Sequence, residues 1–424
     1  MASRLWGSDT SVDDFARRWL IVAAFFAGLA AIVRQPLLVV LALILALIGL
    51  GIRFWWRACF AGVSYRRRLS ATRAFWGESV ELELVAENAK PLPLLRLDVV
   101  EELSHNVHIP GAALYPAGPP SRTLPVFFSL GLYERVHQRY TVQTRVRGRH
   151  RFGPATLTTS DPFGLVSKRM DVPGTSEFIV YPRMVPVTNL TVPARQPLGD
   201  DKPAQPLVED PLRIAGVRPY VAGDSPRRIH WRATARTGTL QTRVYEPSAT
   251  PSVALFLDTN TFAYLWEGQN TALLELAITL TASLARDLIE RRNAVGLFAN
   301  APVLGGARSA RVQPGRNPAQ LTRLLEVLAL LSPAFGQRIE EMIAAELPRL
   351  AWGTTIVVVT CRVSAELQRA LLRLARVAGG QRFVLLAVGE RPELAPELRR
   401  RVSIHHLSGD ERWETIESIV LGAV

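Results

Sequence analysis

Apolar residues are concentrated near the start of the chain, in two runs that a two-residue polar break separates. The runs cover residues 19–33 and 36–52, and each is slightly shorter than the roughly 20 residues of a full membrane span. Aromatic residues flank the two runs, and Pro36 is suited to the first turn of a helix that follows a tight turn. The pattern predicts a transmembrane hairpin of two helices over residues 19–56, after a tail over residues 1–18.

Arginine is distributed unevenly around this hairpin. Arg34 alone lies between the two runs, whereas three arginines precede the first run and five follow the second: Arg4, Arg17, Arg18, Arg53, Arg57, Arg66, Arg67 and Arg68. Because the cytoplasmic segments of membrane proteins carry an excess of Lys and Arg, a multi-pass protein of the inner membrane is predicted, with both termini and the soluble domains in the cytoplasm. A cleaved signal peptide is the alternative, and the immediate second run argues against it.

Beyond the hairpin the hydrophobic period changes to the two-residue alternation of half-buried strands. The alternation is strict from Ser79 onward, and Leu95–Val100 and Tyr140–Val146 are further strand candidates between segments rich in proline and glycine. Residues 62–190 are therefore predicted to form a small antiparallel β-sandwich. The prolines that follow predict an extended connector over residues 191–215.

The C-terminal part, residues 216–424, alternates apolar strands with amphipathic helices. Predicted strands lie at 251–258, 294–299, 354–360, 382–388 and 402–405, and predicted helices begin near 271 and cover about 318–331, 337–350, 364–378 and 411–423. This order predicts an α/β domain with a doubly wound parallel sheet. Ligands on such sheets bind beyond the carboxyl ends of the strands, which here carry Asp258, Asn260, Thr261, Thr360 and Cys361.

An arginine-rich segment precedes the first strand of this domain. Asp224 or Ser225 can cap a helix there, with Pro226 at its first position and Gly238 at its end. The candidate partner-binding or anion-binding residues in this segment are Arg218, Tyr220, Asp224, Arg227, Arg228, His230, Trp231, Arg232 and Arg236. On one helix, Arg228, Arg232 and Arg236 would form a cationic ridge. The ridge either binds an acidic partner or lipid headgroup, or pairs internally with carboxylates such as Glu246 and Asp258, and internal pairing or interdomain docking is favoured.

Composition and charge narrow the possible functions. The net charge is +13, yet only three of the 50 basic residues are lysines, and there is no nucleic-acid-binding motif. Attraction to an anionic membrane surface is therefore expected, and a nucleic-acid partner is not. The two cysteines lie far apart and form no metal or disulfide pattern. Phosphate-binding, hydrolase and zinc-protease motifs are absent too, so no catalytic residues and no enzyme activity are predicted.

Four sequence motifs resemble the bacterial family called domain of unknown function 58, or DUF58. They are Asp161-Pro-Phe-Gly-Leu165, Val180-Tyr-Pro182, Leu255-Phe-Leu-Asp258 and the segment from Gly223-Asp224 through Arg228-Ile-His-Trp231 and Ala235-Arg236 to Leu240. The resemblance covers most of the chain. It implies a C-terminal domain of the von Willebrand A type and a partnership with a MoxR-type AAA+ ATPase in complex assembly or envelope-related processes.

The metal site of von Willebrand A domains has the pattern Asp-x-Ser-x-Ser with a distant Thr and Asp, which suits Mg²⁺. This chain instead has Asp258, Asn260 and Phe262 in the first motif and Thr360 without a following acid. Asp258, Asn260 and Thr360 are therefore the candidate Mg²⁺ ligands, and because this ligand set is incomplete, no cofactor is predicted.

Three hypotheses follow. The preferred one is a membrane-anchored cytoplasmic scaffold or adaptor that works with the ATPase. The second is a metal-dependent ligand-binding or hydrolytic protein that uses Asp224, His230 and Asp258. The third is a module in which the arginine-rich segment senses anionic lipid.

Overall fold

The computed structural model describes residues 10–161, 164, 166–188, 209–221, 224–247, 251–262, 267–306, 308–332, 334, 336–351, 353–377, 381–409 and 412–423. The chain has a mixed α/β architecture and divides into two compact units, Met1–Tyr181 and Pro182–Val424. The predicted connector at 191–215 lies outside the described residues up to position 208, and its last seven residues belong to a β-strand.

Two long helices begin the first unit. Helix α1 covers Thr10–Val33 and helix α2 covers Pro36–Ala58, and Arg34, with a φ of 51°, lies in the turn between them. Helix α2 is long and apolar enough to cross a membrane. The buried positions within the two helices are dominated by small residues, whereas large aliphatic side chains point outward.

Ten short strands follow in two sheets that share one core. Their bounds are β1 Val63–Leu69, β2 Arg73–Phe75, β3 Ser79–Asn88, β4 Leu94–Ser104, β5 Tyr115–Gly118, β6 Ser121–Leu130, β7 Arg135–Gln143, β8 Gly148–Ser160, β9 Ser167–Val172 and β10 Ser176–Tyr181. One sheet has the order β1-β3-β7, and the other has the order β2-β10-β8-β4-β6-β5 with β9 paired to β8. All pairings are antiparallel except that of β2 with β10, which is parallel. The predicted strand at Tyr140–Val146 is shifted, because β7 ends at Gln143.

Asp161 and Gly164 form a hydrogen-bonded turn after β8. The amide of Gly164 donates to the carbonyl of Asp161 at 2.9 Å, and Gly164 has a φ of 70°, which glycine adopts without strain. The Asp161 carboxylate accepts a hydrogen bond from the amide of Val166 at 2.7 Å. Asp161 therefore fixes a structural corner between β8 and β9.

The second unit is built on a seven-stranded sheet. Its strands, in spatial order, are β16 Ala310–Gly315, β15 Ala294–Ala299, β14 Ser252–Leu257, β17 Thr355–Thr360, β18 Arg382–Gly389, β19 Ser403–Ser408 and β21 Gly422–Ala423. The five central strands are parallel, and the two edge strands, β16 and β21, are antiparallel. The sheet is therefore mixed rather than wholly parallel as predicted.

Helices cover both faces of this sheet. Helices α4 Thr271–Glu290 and α5 Gln320–Leu330 pack on one face, and α6 Ile339–Glu346, α7 Ala365–Val377 and α8 Pro396–Arg401 pack on the other. Successive apolar residues along each strand point alternately to the two helical layers, because side chains of a strand alternate in direction. The buried residues of β14, β17 and β18 form a continuous core with α6 to α8.

The prediction of a helix over 411–423 is wrong. Described residues there include two short strands, β20 Ile419–Val420 and β21, of which β20 pairs with β11 Val187–Thr188. The β-branched residues Ile419 and Val420 together with Gly422 disfavour a helix, and the open edge of β19 offers the chain backbone partners instead.

Candidate functional site

Polar residues converge where the strand order of the second unit reverses. Asp258 directly follows β14, Thr360 ends the adjacent strand β17, and Asn300 directly follows β15. Such a reversal point is where open α/β sheets usually bind ligands. We call Asp258, Asn260, Asn300 and Thr360 the strand-end cluster.

Hydrogen bonds connect every member of the strand-end cluster. Asp258 Oδ1 accepts from the side-chain amide of Asn300 at 2.8 Å and from the backbone amide of Asn260 at 3.1 Å. Asp258 Oδ2 lies 2.9 Å from the hydroxyl of Thr360. The sequence-predicted residues Asp258, Asn260 and Thr360 are thus brought together, and the cluster ties the ends of three strands to each other.

The remaining polar atoms of the cluster are also engaged. The amide of Asn300 reaches the carbonyl of Gln337 at 2.8 Å, and its oxygen accepts from the backbone and hydroxyl of Thr259. Asn260 Oδ1 accepts from the amide of Gly336 at 2.9 Å. Gly336 approaches so closely that an added Cβ would lie 2.0 Å from the carbonyl oxygen of Asn300, so a side chain is excluded there.

The chemistry of the cluster does not fit a divalent cation. Asp258 is its one carboxylate, and neutral hydrogen-bond donors already hold both of its oxygens. Burial raises the pKa of Asp258 to about 6. No group of three His, Cys, Asp or Glu residues within the described ranges is placed to hold a metal. Mg²⁺ prefers several oxygen ligands in octahedral geometry, and the cluster lacks them.

Asn300 was not among the site residues predicted from the sequence, although its position in the sequence indicated it. It follows a buried apolar strand in the same way that Asp258 follows β14. Applying the carboxyl-end rule to every predicted strand would have identified it.

The arginine-rich segment forms a separate structure, which we call the arginine hairpin and define as residues 209–247. Strands β12 Glu209–Pro219 and β13 Gln241–Pro247 pair antiparallel, and the residues between them include a 3₁₀ turn at Pro226–Arg228 and helix α3 at Trp231–Thr237. The prediction of one helix from Pro226 to Gly238 is therefore wrong. Ile229 is extended and bridges to Thr242, which places Arg228 outside the helix that carries Arg232 and Arg236.

The two ends of α3 are nonetheless well defined. His230 is the N-cap, and its Nδ1 accepts a hydrogen bond from the amide of Ala233 at 3.1 Å. Gly238 ends the helix in the left-handed conformation with a φ of 67°, as predicted. The amide of His230 donates to the carbonyl of Gln241, and the hydroxyl of Thr234 accepts from the amide of Gln241. These bonds hold α3 against β13.

Asp224 fixes the start of the same segment. Its carboxylate forms an ion pair with Arg218 at 2.7 Å and accepts hydrogen bonds from the amide of Val221 and the hydroxyl of Thr242. The bond from Arg218 holds the pKa of Asp224 below its ordinary value. Tyr220 donates its hydroxyl hydrogen bond to the carbonyl of Asp224. Three of the candidate residues are therefore structural supports of the hairpin.

The outer surface of α3 and of the 3₁₀ turn before it is basic and aromatic. Trp231 is 67% exposed, and Arg228, Arg232 and Arg236 are exposed as well. The side chains of Arg227 and Glu246 lie outside the described residues. The predicted pairing of the arginines with Asp258 is wrong, because both carboxylate oxygens of Asp258 are bound within the strand-end cluster. The structure thus places Asp224, His230 and Asp258 in three different local roles.

Comparisons with known proteins give one family and one distant relative. Residues 216–398 match the family model described as protein of unknown function DUF58. The uncharacterized protein YeaD of Bacillus subtilis (strain 168) is 22% identical over 340 residues, which cover 78% of this chain and 77% of YeaD.

Two solved structures match with low overall similarity. The Pseudomonas fluorescens alkylpurine DNA glycosylase AlkC matches with 17% identity over 41% of this chain and 48% of its own, so the chain spans about half of its length, at a TM-score of 0.19. A cohesin module of a Clostridium perfringens family 33 glycoside hydrolase matches with 10% identity over 28% of this chain and 96% of its own, at a TM-score of 0.21. TM-scores this low support no argument about fold or function.

Proposed function

Through its residues 216–398 the chain belongs to the family of proteins of unknown function DUF58, and we propose that it is a membrane-anchored cytoplasmic scaffold. The observation that carries this proposal is the end of helix α2. This helix is apolar enough to cross a membrane, and its last turns contribute Ile52, Trp55 and Cys59 to the core of the β-sheet unit. A membrane helix that ends inside a folded core is suited to hold that core at the bilayer surface.

Helix α1 is proposed to be the second transmembrane segment. Ala23 and Ala30 of α1 and Ala42 and Gly49 of α2 are buried and recur at seven-residue spacing, as is common between membrane helices. A Cβ on Gly49 would lie 3.4 Å from Leu20, which shows how closely the helices approach. Exposed leucine, isoleucine and valine side chains on both helices suit contact with lipid. The arginine distribution then favours cytoplasmic termini.

The second unit is proposed to be a von Willebrand A-type domain. Its strand order, with β14 and β17 central and an antiparallel strand beyond β15, supports this assignment. The strand-end cluster occupies the position of the metal site in such domains, and its residues satisfy one another instead. The domain is therefore proposed to act in binding through protein surfaces rather than through a bound cation.

The partner proposed for the scaffold is a MoxR-type AAA+ ATPase, in keeping with the family resemblance, and the shared process is assembly of protein complexes or of the cell envelope. Within the described residues the acids and the histidine considered for catalysis are held in separate structural networks. That separation favours a scaffold over a hydrolase.

The membrane arrangement is tested by thiol labelling of single-cysteine additions. Arg34→Cys should react with a membrane-impermeant maleimide in intact spheroplasts, whereas Tyr133→Cys, on an exposed residue of the β-sheet unit, should react only after lysis. The unmodified chain controls for Cys59 and Cys361. Labelling of Tyr133→Cys in intact spheroplasts would contradict the proposed topology.

The scaffold role is tested by capture of the tagged full-length protein in mild detergent together with the purified MoxR-type ATPase of the same organism. Saturable retention of the ATPase is expected, and a different two-helix inner-membrane protein with the same tag should retain none. Absence of retention with and without nucleotide would reject this partner.

A further inference from the structure

The arginine hairpin, residues 209–247, carries a net positive charge, with seven arginines and four acidic residues. Residues 216–245 contain six arginines, at positions 218, 227, 228, 232, 236 and 243, and one acidic residue, Asp224. Asp224 is already engaged by Arg218 at 2.7 Å. Asp224 is therefore not available to Arg232 and Arg236 on the outer surface of α3.

Arg232 and Arg236 are placed unfavourably for the isolated protein. They lie four residues apart on α3, so their guanidinium groups project from neighbouring positions of the same helix face. Like charges at this spacing destabilise a helix by about 0.2–0.5 kcal/mol. Neither arginine has a carboxylate partner among the residues that the structure describes. A ligand with two negative groups would remove this repulsion.

Trp231 adds an apolar anchor beside the two arginines. Its indole is 67% exposed, although tryptophan is normally mostly buried. The backbone that presents it is fixed by the His230 N-cap and by the hydrogen bonds of His230 and Thr234 to Gln241. Because this backbone is already ordered, binding through Trp231 would cost little conformational entropy. Tryptophan and arginine are also the residues that contribute most to protein interfaces.

We propose that the arginine hairpin is the docking surface for an acidic face of a partner protein. Two carboxylates of the partner, about 6 Å apart as on one face of a helix, bind Arg232 and Arg236, and an apolar pocket between or beside them receives Trp231. This inference deepens the proposed scaffold function and rests on it.

The same residues are less suited to an anionic membrane surface. A helix that lies on a bilayer needs a wide apolar face, whereas α3 has seven residues and one large apolar side chain. Arginine forks instead match the planar geometry of carboxylates, which gives directional binding to a protein. Lipid is therefore an alternative that the experiment must separate.

The test uses the full-length protein in cells, with Trp231 replaced by a photo-crosslinking residue (Trp231→p-benzoylphenylalanine). Irradiation is expected to yield an adduct with another polypeptide, and the cross-linked peptide should be rich in Asp and Glu. The charge reversal Arg232→Glu/Arg236→Glu should lower the adduct yield about tenfold or more. The matched control Arg399→Glu/Arg400→Glu, on exposed arginines of α8, makes the same charge change and should leave the yield unchanged.

The decisive step exchanges charges between the partners. Replacing the cross-linked partner acids by arginine should restore the adduct with the Arg232→Glu/Arg236→Glu protein. Adducts with phospholipid, with a second copy of the chain or with the chain itself would overturn the proposal, as would a yield that charge reversal does not change. If the ATPase still binds the charge-reversed protein, the scaffold function stands and this docking surface alone fails.

Discussion

Asp258 is a buried acid that pairs with no cationic side chain among the described residues, and this shapes its behaviour at the scale of a single residue. Its hydrogen-bond donors are the Asn300 amide, the Asn260 backbone and the Thr360 hydroxyl. Burial is the largest influence and raises its pKa to about 6, and the nearby charge of Glu340 acts in the same direction. The protonated form is therefore favoured in the folded protein more than in the unfolded chain.

The variant Asp258→Asn is expected to remove a pH-dependent loss of stability. For the wild type, the contribution of Asp258 is fully present below about pH 4 and is lost as the pH rises to about 6, a difference of up to about 3 kcal/mol. Asparagine can accept from Asn300 and Asn260 and donate to Thr360, whose hydroxyl also reaches the carbonyl of Arg362. Thermal unfolding of both proteins between pH 4 and pH 7.5 measures the difference.

Near pH 4 the two proteins should unfold at the same temperature, and at pH 7.5 the variant should be the more stable one. The comparison between variants cancels the titration of groups that do not interact with Asp258, and burial raises the pKa of Cys361 to about 12, above the pH range of the experiment. A variant that is less stable at pH 7.5, together with stabilisation of the wild type by Mg²⁺, would instead indicate a metal role for Asp258.

At the scale of elements, the junction between α2 and the β-sheet unit is held by two of the three lysines of the chain. Lys90 donates to the carbonyl of Cys59, and Lys168 donates to the carbonyl of Trp56 at 2.9 Å and lies 5.1 Å from the centre of its ring. Both lysines therefore satisfy carbonyl groups at the C-terminal end of the helix, where the helix dipole favours cations. The rarity of lysine was evident in the sequence, but it did not indicate that two of the lysines bind the end of α2.

The variant Lys168→Met is expected to loosen the end of α2 while leaving the strands intact. Loss of the bond to Trp56 should cost about 1 kcal/mol locally, so that amides near Cys59 exchange hydrogen about fivefold faster. Arg169→Met is the matched control, because Arg169 is exposed and pairs with Asp171 on the same strand. Hydrogen exchange with mass spectrometry on the full chain in detergent compares the two variants. Equal exchange in both would contradict the role of Lys168 at the end of α2.

Packing between α1 and α2 depends on the absence of a side chain at one position. Gly49→Leu is expected to overpack the contact with Trp19 and Leu20 and to cost about 1–3 kcal/mol. Gly51→Leu lies two residues away with nothing within 4 Å of its Cβ position and should be neutral. The midpoint temperature for loss of monodisperse protein in detergent measures the effect. Equal midpoints would mean that the helices do not pack as described.

The agreement between predicted and observed elements also differs from one element to the next. Strands β14, β15, β17 and β18 were predicted nearly to the residue, since continuous apolar runs have one compact arrangement in a doubly wound sheet. The break at Ile229 was not, because Ile229 leaves the helical pattern only to pair with Thr242, thirteen positions away. Local capping signals were correct at Gly238, whereas a tertiary contact decided the rest of the segment.

For the whole molecule, the sequence pattern indicated a mixed α/β chain with an apolar helical start, and the structure confirms both. The strand-end cluster could be located from sequence at Asp258, Asn260 and Thr360 because strand ends meet at one edge of a parallel sheet. Its closed hydrogen bonding could not, since Asn300 and Gly336 reach it from distant parts of the chain. The sequence gives the residue types of the cluster, whereas its hydrogen bonding depends on how the fold brings distant residues together.

Membrane anchoring gives the prediction at this scale. Leu43 and Leu47 lie in the middle of α2 and are each 60% exposed, so in the proposed arrangement they face lipid. An arginine at the centre of a span costs about 2.5–3.5 kcal/mol, and Leu43→Arg/Leu47→Arg should therefore shift the protein out of the integral membrane fraction. Leu95→Arg, at an equally exposed residue of the β-sheet unit, should leave it there. Extraction with alkaline carbonate separates the two outcomes. Release of the wild type would show that charge alone holds the protein at the membrane. Selective release of the α2 variant would identify this helix as the anchor, on which every binding role proposed for the soluble units depends.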